Sequence, residues 1–400
     1  MNTMPVKNFA MSQSVLRRSD LYGLLEALCD EIELTDAQFE AAKANYEAVG
    51  RWLAGAQHNA LRLLNIYVHG STALGTTVKP IGRDEHDVDL ICHVPDFSPL
   101  RLPSELKRVI GERLRENSVY GAILEEKKRC WRLNYAREFH LDISPTIPNP
   151  ACMNGGELVP DKKLREWKAT NPKGYRAEFE RRAGLLPKIR LFKTIVADAQ
   201  ATIAPFPARK KKRGILRRTV QLLKRHRDIY FAAVEADIVP ISIIITTLAM
   251  QAYEYCVEAF EFDTELDVVI ATIRMMPHFI GQDVVAGKRL WVVNNETTNG
   301  ENFADRWNSE PARAQAFFTW HKQALEDFER FANLEGIDRL TTEIGKALGS
   351  KEVSTVFGGR TREISEARSG MKLYVAPTIG LTVTTPARAT QVLRNTNFGD

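Results

Sequence analysis

The hydrophobic period of this chain changes twice, and that limits the folds open to it. Between residues 14 and 65 apolar residues recur at helical spacing: Leu21, Leu24, Leu25, Leu28 and Ile32, then Trp52, Leu61 and Leu64. Asp36, following a threonine, marks a break between two helices. From NIYVHG (65–70) onward short strand-like runs take over, at 65–70, 86–94, 120–125, 128–135 and 138–144, with helices expected at STALGTT and over 103–117. After NPKGY (171–175) the pattern is almost wholly helical, with helices expected over 176–199, 213–235, 239–257, 263–277, 302–332 and 335–349. Strands and helices in succession, then helices alone, predict an α+β, bilobal molecule: a mixed sheet with helices on one side, against a helical lobe.

The expected organisation is N-terminal helices over 1–50 that bridge the lobes, a strand-bearing core over 51–175, a helical domain over 176–350, and a mobile tail over 351–400 with few large apolar residues. A chain of 400 residues is long enough for two such cores. No apolar run approaches the roughly 18 residues of a membrane span, and the first residues lack a secretion-signal pattern. The five cysteines are scattered, without CxxC spacing, which argues against a disulfide framework or structural zinc and predicts a cytoplasmic protein.

The chemistry concentrates in HGSTALGTTVKPIGRDEHDVDLICHV (69–94). On a strand, residues i and i+2 share a face. Asp87 and Asp89 therefore point one way, and Val88 and Leu90 point the other. EFHLDIS (138–144) repeats the design, with Phe139, Leu141 and Ile143 opposite His140 and Asp142. Three carboxylates on neighbouring strands repel one another unless cations neutralise them. Hard oxygen donors favour Mg²⁺ or Mn²⁺ over zinc. Two such ions, about 4 Å apart, would serve an in-line phosphoryl displacement.

Gly70-Ser71, where a strand gives way to a helix, offers backbone N–H groups, a hydroxyl and a close approach for a triphosphate. The basic run RKKKRGILRR (209–218) with KRHR (224–227) carries much of the net charge of +5. It suits phosphate-bearing ligands, nucleic acid included, or a solvated loop. On its helix the apolar stripe Leu216, Val220, Leu223 and Tyr230 leaves Lys224 turned away, free to reach the same phosphates. His69, His86, His93 and His140 match no tetrahedral zinc spacing and are expected to be structural or to stand behind the ligands. Neither a GxxxxGK[ST] loop nor a G-x-S-x-G elbow occurs.

Gly70-Ser71, Gly75-Thr76, Pro80, Asp87-x-Asp89 and the downstream Asp142 resemble the polymerase-β-like nucleotidyltransferases. More narrowly, TNPKGY, VQLLKRHRDIYF, PISIIITTLA and ENFADRW resemble segments of the bacterial CD-NTases, relatives of cyclic GMP-AMP synthase and oligoadenylate synthase. The resemblance spans residues 20 to 330. It implies a cyclic di- or trinucleotide synthase acting in anti-phage (CBASS) defence, with ATP the expected nucleoside triphosphate. It further implies that Asp87 and Asp89 bind both metals, that Asp142 completes the first site and helps deprotonate the attacking ribose hydroxyl, and that Gly70 and Ser71 hold the donor triphosphate. A HORMA-type activating protein and its disassembling ATPase are implied as partners. Thr72 and Asn294-Asn295 depart from the pattern of relatives, which bears on base choice. The other readings are a linear-product transferase of the oligoadenylate or RNA-tailing type, and a non-catalytic nucleic-acid sensor binding through 209–227.

Overall fold

The computed structural model describes residues 4–392 except 57, 59–60, 62, 82–85, 136–138, 161–164, 191–212, 234–235, 377–379 and 383–389. Two helices open the chain, α1 (Met4–Ile32) and α2 (Asp36–Ala54). The first ends at Ile32, and Thr35 caps the start of the second. Its hydroxyl accepts from the Gln38 N–H, and the Gln38 side chain accepts from the Thr35 N–H, a reciprocal capping box.

A seven-stranded mixed sheet follows: β1 (Asn65–His69), β2 (His86–His93), β3 (Leu124–Glu126), β4 (Trp131–Tyr135), β5 (Phe139–Pro148), β6 (Glu157–Pro160) and β7 (Trp167–Thr170). The main order is β1-β2-β5-β4-β3, with β6 paired to β5 and β7 to β6. Only β2 and β5 run parallel within it. The crossover between them carries α4 (Pro103–Arg115) and α5 (Ser118–Ile123). The expected strand over 120–125 is corrected here. Asn117 caps α5 by accepting from the Val119 and Tyr120 N–H groups, so VYGAI is helical and only Leu124–Glu126 is strand.

Alternation decides which face of the sheet is buried. Val88, Leu90, Leu133, Phe139, Leu141 and Ile143 pack into one core with Val49 and Leu53 of α2 and Leu106, Ile110 and Leu114 of α4. The opposite face carries the aspartates.

The second lobe comprises α6 (Pro172–Ala183), α7 (Ile215–Tyr230), α8 (Ser242–Ala259), α9 (Glu265–Met275), α10 (Asp305–Ser309), α11 (Pro311–Asn333), α12 (Ile337–Leu348) and α13 (Ser350–Ser369). The helix expected over 302–332 is broken at Glu310, and Pro311 restarts it at the first turn, where a missing N–H costs nothing. A hairpin, Gly281–Val285 with Lys288–Val292, interrupts the helices. Leu21, Leu25, Leu28 and Ile32 of α1 belong to this second core, as does Leu74. The two N-terminal helices thus serve different cores.

The segment expected as a mobile tail after residue 350 starts as α13. Its sparse apolar residues suffice because they fall on one side: Val353 is buried, and Val356 and Phe357 pack against the helical core. Glu352 pairs with the buried Arg225 at 2.5 Å.

Candidate active site

The register of the sheet brings four polar residues into one row. His69 pairs with Asp89, Asp89 with Asp142, and Asp142 with Arg132. Directly paired residues project on the same side, so this row lies on the face opposite the core. Asp87 shares that side, two residues before Asp89, and is 58% exposed.

Gly70 opens the five-residue helix α3 (Gly70–Leu74) immediately after His69. Its φ is +63°, and a Cβ there would stand 2.1 Å from Oδ2 of Asp89. Glycine is thus required twice, by backbone conformation and by the carboxylate leaning over it. Ser71 follows in the first turn of α3.

Burial, with Asp142 and Asp87 close by, pushes the Asp89 carboxyl up to about 6; Arg132 and Lys224 pull the other way. The donor set is therefore three hard carboxylates whose mutual repulsion is not fully offset, which fits a divalent cation of the Mg²⁺ or Mn²⁺ kind. Among the described residues no group of three or more His, Cys, Asp or Glu is already gathered to hold a metal ion. Arg132 stands in that role. Its Nε donates to Asp142 Oδ1 at 2.7 Å, and its Nη2 to Asp142 Oδ2 at 2.7 Å and Asp87 Oδ1 at 3.2 Å. The sequence reading missed this arginine. The cue was the alternation in WRLNY, which sets Arg132 and Asn134 opposite Trp131 and Leu133.

Lys224 is placed differently from expectation. It lies on α7, but that helix is the buried centre of the second lobe rather than a surface helix, and Lys224 itself is only 5% exposed. Its ammonium donates to the Thr76 carbonyl at 3.1 Å and the Thr76 hydroxyl at 3.0 Å. Burial, aided by Arg227, lowers its pKa to about 7.

The neighbouring basic residues grip the same stretch of backbone just beyond α3. Arg217 donates to the Leu74 carbonyl, Arg213 to Gly75, Gln221 to Thr77 and Arg225 to Lys79. Positions 217, 221 and 225 form one row of α7, spaced by four, and Arg213 stands just before the Gly214 cap. Ion pairs absorb the charges: Arg213 and Arg218 with Glu33, Arg217 with Glu180, Arg227 with Asp228. The reading of 209–227 as a nucleic-acid surface is corrected for residues 213–227, which clamp the lobes together. Residues 209–212 lie outside the described residues.

Of the four histidines, His69 is lowered in pKa by burial beside the row of acids. His93 meets Thr146 at 3.1 Å and Glu157 at 3.4 Å. His86 stacks obliquely on Phe139, with centroids 5.5 Å apart.

Residues 22–182 match the family model described as Second Messenger Oligonucleotide or Dinucleotide Synthetase domain. The chain is 28% identical over 392 residues to a c-di-GMP synthase of Roseivirga ehrenbergii, covering 96% of this chain and 98% of the relative. It is 25% identical over 419 residues to the cyclic dinucleotide synthase CdnG of Bradyrhizobium diazoefficiens, covering 95% of each. The solved structure of the Bradyrhizobium diazoefficiens CD-NTase CdnG in complex with GTP shares the fold, with a TM-score of 0.64 and 20% identity over 84% of this chain and 97% of that one. The matched domain makes residues 22–182 a second-messenger oligonucleotide or dinucleotide synthetase domain, on a fold shared with a CD-NTase. Across nearly its whole length the chain is similar to bacterial cyclic dinucleotide synthases, and it is an enzyme.

Proposed function

We propose that this enzyme joins nucleoside triphosphates, GTP among them, into a cyclic dinucleotide. The observation that carries the reading is the row Asp89–Asp142, with Asp87 beside it, under the Gly70 turn on the open face of the sheet. The naming of two full-length relatives as c-di-GMP synthase and cyclic dinucleotide synthase supports it, and the former favours guanine over the ATP expected from sequence.

In this reading Asp87, Asp89 and Asp142 hold two divalent ions, which when bound supply charge neutralisation at the attacking and leaving oxygens. Gly70 leaves space for the donor triphosphate at the start of α3, and the Ser71 hydroxyl donates to it. Asp142 helps take the proton of the attacking ribose hydroxyl. Lys224 sits behind Thr76 as a reserve of positive charge that phosphate binding would draw on. A role in CBASS anti-phage defence, a cytoplasmic location, and activation by a HORMA-type protein with its disassembling ATPase extend the same reading from the resemblance. Among the described residues no helix is long and apolar enough to cross a membrane.

The test is incubation of purified protein with labelled GTP, ATP or both, with Mg²⁺ or Mn²⁺, followed by phosphatase and mass identification. A resistant cyclic product containing guanine, absent from an Asp87→Asn, Asp89→Asn variant, is expected. A phosphatase-sensitive ladder would replace the reading with a linear-product transferase. A cyclic product made from ATP alone would overturn the guanine assignment.

A further inference from the structure

The acids of the open face are already held by a cation of the chain's own. Arg132 and Asp142 face each other across β4 and β5, and the arginine fork engages both carboxylate oxygens. The contact is sheltered, with side chains 20% and 16% exposed. A fork of this kind fixes the plane of a carboxylate, which a lysine ammonium cannot do. The same guanidinium reaches Asp87, so its charge lies between two of the three acids.

We propose that Arg132 is a positioning residue with two separable effects: its fork sets the plane of the Asp142 carboxylate, and its charge holds divalent-cation occupancy of the three acids below what they would reach alone. The inference rests on the reading of those acids as a metal site. Arginine and metal do not stabilise the acids independently. A positive charge a few ångströms from an incoming divalent ion weakens that ion's binding, so the apo site is partly neutralised and takes up metal only against Arg132.

Substitution separates the two effects. Arg132→Gln removes the charge and the fork; Arg132→Lys keeps the charge and loses the fork. The probe is Mn²⁺ binding to the nucleotide-free full-length chain, followed by electron paramagnetic resonance, beside product formation at saturating Mn²⁺. Melting in EDTA checks folding. Arg132→Gln is expected to bind Mn²⁺ about tenfold more tightly yet to turn over roughly 10²-fold more slowly, because Asp142 is no longer aligned. Arg132→Lys is expected to bind Mn²⁺ as wild type does and to share the loss of turnover.

Affinity and turnover moving in opposite directions is the signature, since damage to the scaffold lowers both. Equal or weaker Mn²⁺ binding by Arg132→Gln, with binding by wild type intact, overturns the proposal. So does full turnover in Arg132→Lys, which also decides the matter if the glutamine variant does not fold. Absence of Mn²⁺ binding by wild type overturns instead the metal reading of the acids.

Discussion

The chain gathers ionised side chains in two places and treats them by opposite rules. On α7 the arginines are matched: Arg218 with Asp30 and Glu33, Arg225 with Glu352 and the Leu348 carbonyl, Arg227 with Asp228 and the Pro240 carbonyl. On the sheet face one arginine pairs with two of the three carboxylates, and Asp89 has no ion pair with it. Buried, matched charges are architecture, because removing one partner strands the other. Unmatched like charges work against the fold and are kept for what they bind. The difference explains why the basic residues of 213–227 are scaffold while the sparser acids make the candidate site.

The largest effect should come from the acids. Asp89→Asn or Asp142→Asn should lower product formation by at least ~10³-fold, several kcal/mol of lost transition-state stabilisation. For Asp89→Asn, melting in chelator should stay level or rise, since an amide relieves repulsion that the carboxylate suffers beside its neighbours. A variant that lost activity and stability together would make the sheet-face acids structural and erase the contrast with α7.

The matched region should behave in the reverse sense. Arg225→Ala strands Glu352 and leaves the Leu348 carbonyl without its donor. A loss of about 3–5 kcal/mol is expected, read from urea unfolding. A loss under about 1 kcal/mol, the range of exposed ion pairs, would show that α7 is no better matched than the surface.

Gly70 sits at the border of the acid cluster. Gly70→Ala should destabilise by about 1–3 kcal/mol, the order expected of a strained backbone position, and should displace Asp89. In an Asp89→Ala background the collision disappears and only the part due to φ +63° should remain, near ~1 kcal/mol. Equal losses in both backgrounds would mean that the carboxylate does not lean on this glycine.

What sequence could disclose divides along the same line. Period-two alternation made β2 and β5 legible, and with them the shared face of Asp87, Asp89 and Asp142, because the opposite positions are aliphatic. Arg132 was harder: its strand was visible, but its facing Asp142 depends on a cross-strand register that local pattern does not set. Lys224 was misplaced for a related reason. An apolar stripe locates one side of α7, whereas the polar side is buried by the backbone of residues 74–79, arriving from the other lobe. The helix α13 was missed because its short apolar stripe lies in a segment rich in Thr, Arg and Ser, and only a preformed core gives that stripe a partner. The strand expected over 120–125 gives way to helix as far as Ile123 because the Asn117 cap fixes the start of α5.

Lys224 joins the two regions and supplies the finest test. It is a buried cation whose hydrogen-bond acceptors are the neutral carbonyl and hydroxyl of Thr76, with Asp89, Arg227 and Asp228 near enough to act through charge. Its pKa falls to about 7, below its ordinary value of 10.5, so above pH 7 the unfolded chain binds more protons at this residue than the folded one. Stability attributable to Lys224 therefore rises with pH, by about 1 kcal/mol between pH 7 and 8, and Lys224→Met should remove that increment from the wild-type profile. If the lysine serves triphosphate, binding of GTP near pH 7.5 should take up a fraction of a proton, seen as a dependence of the calorimetric heat on buffer ionisation enthalpy. The methionine variant should lose the uptake and bind GTP more weakly. Proton uptake that persists in Lys224→Met would assign it to another group; an unchanged GTP affinity would return Lys224 to the α7 pattern, a charge spent on holding Thr76.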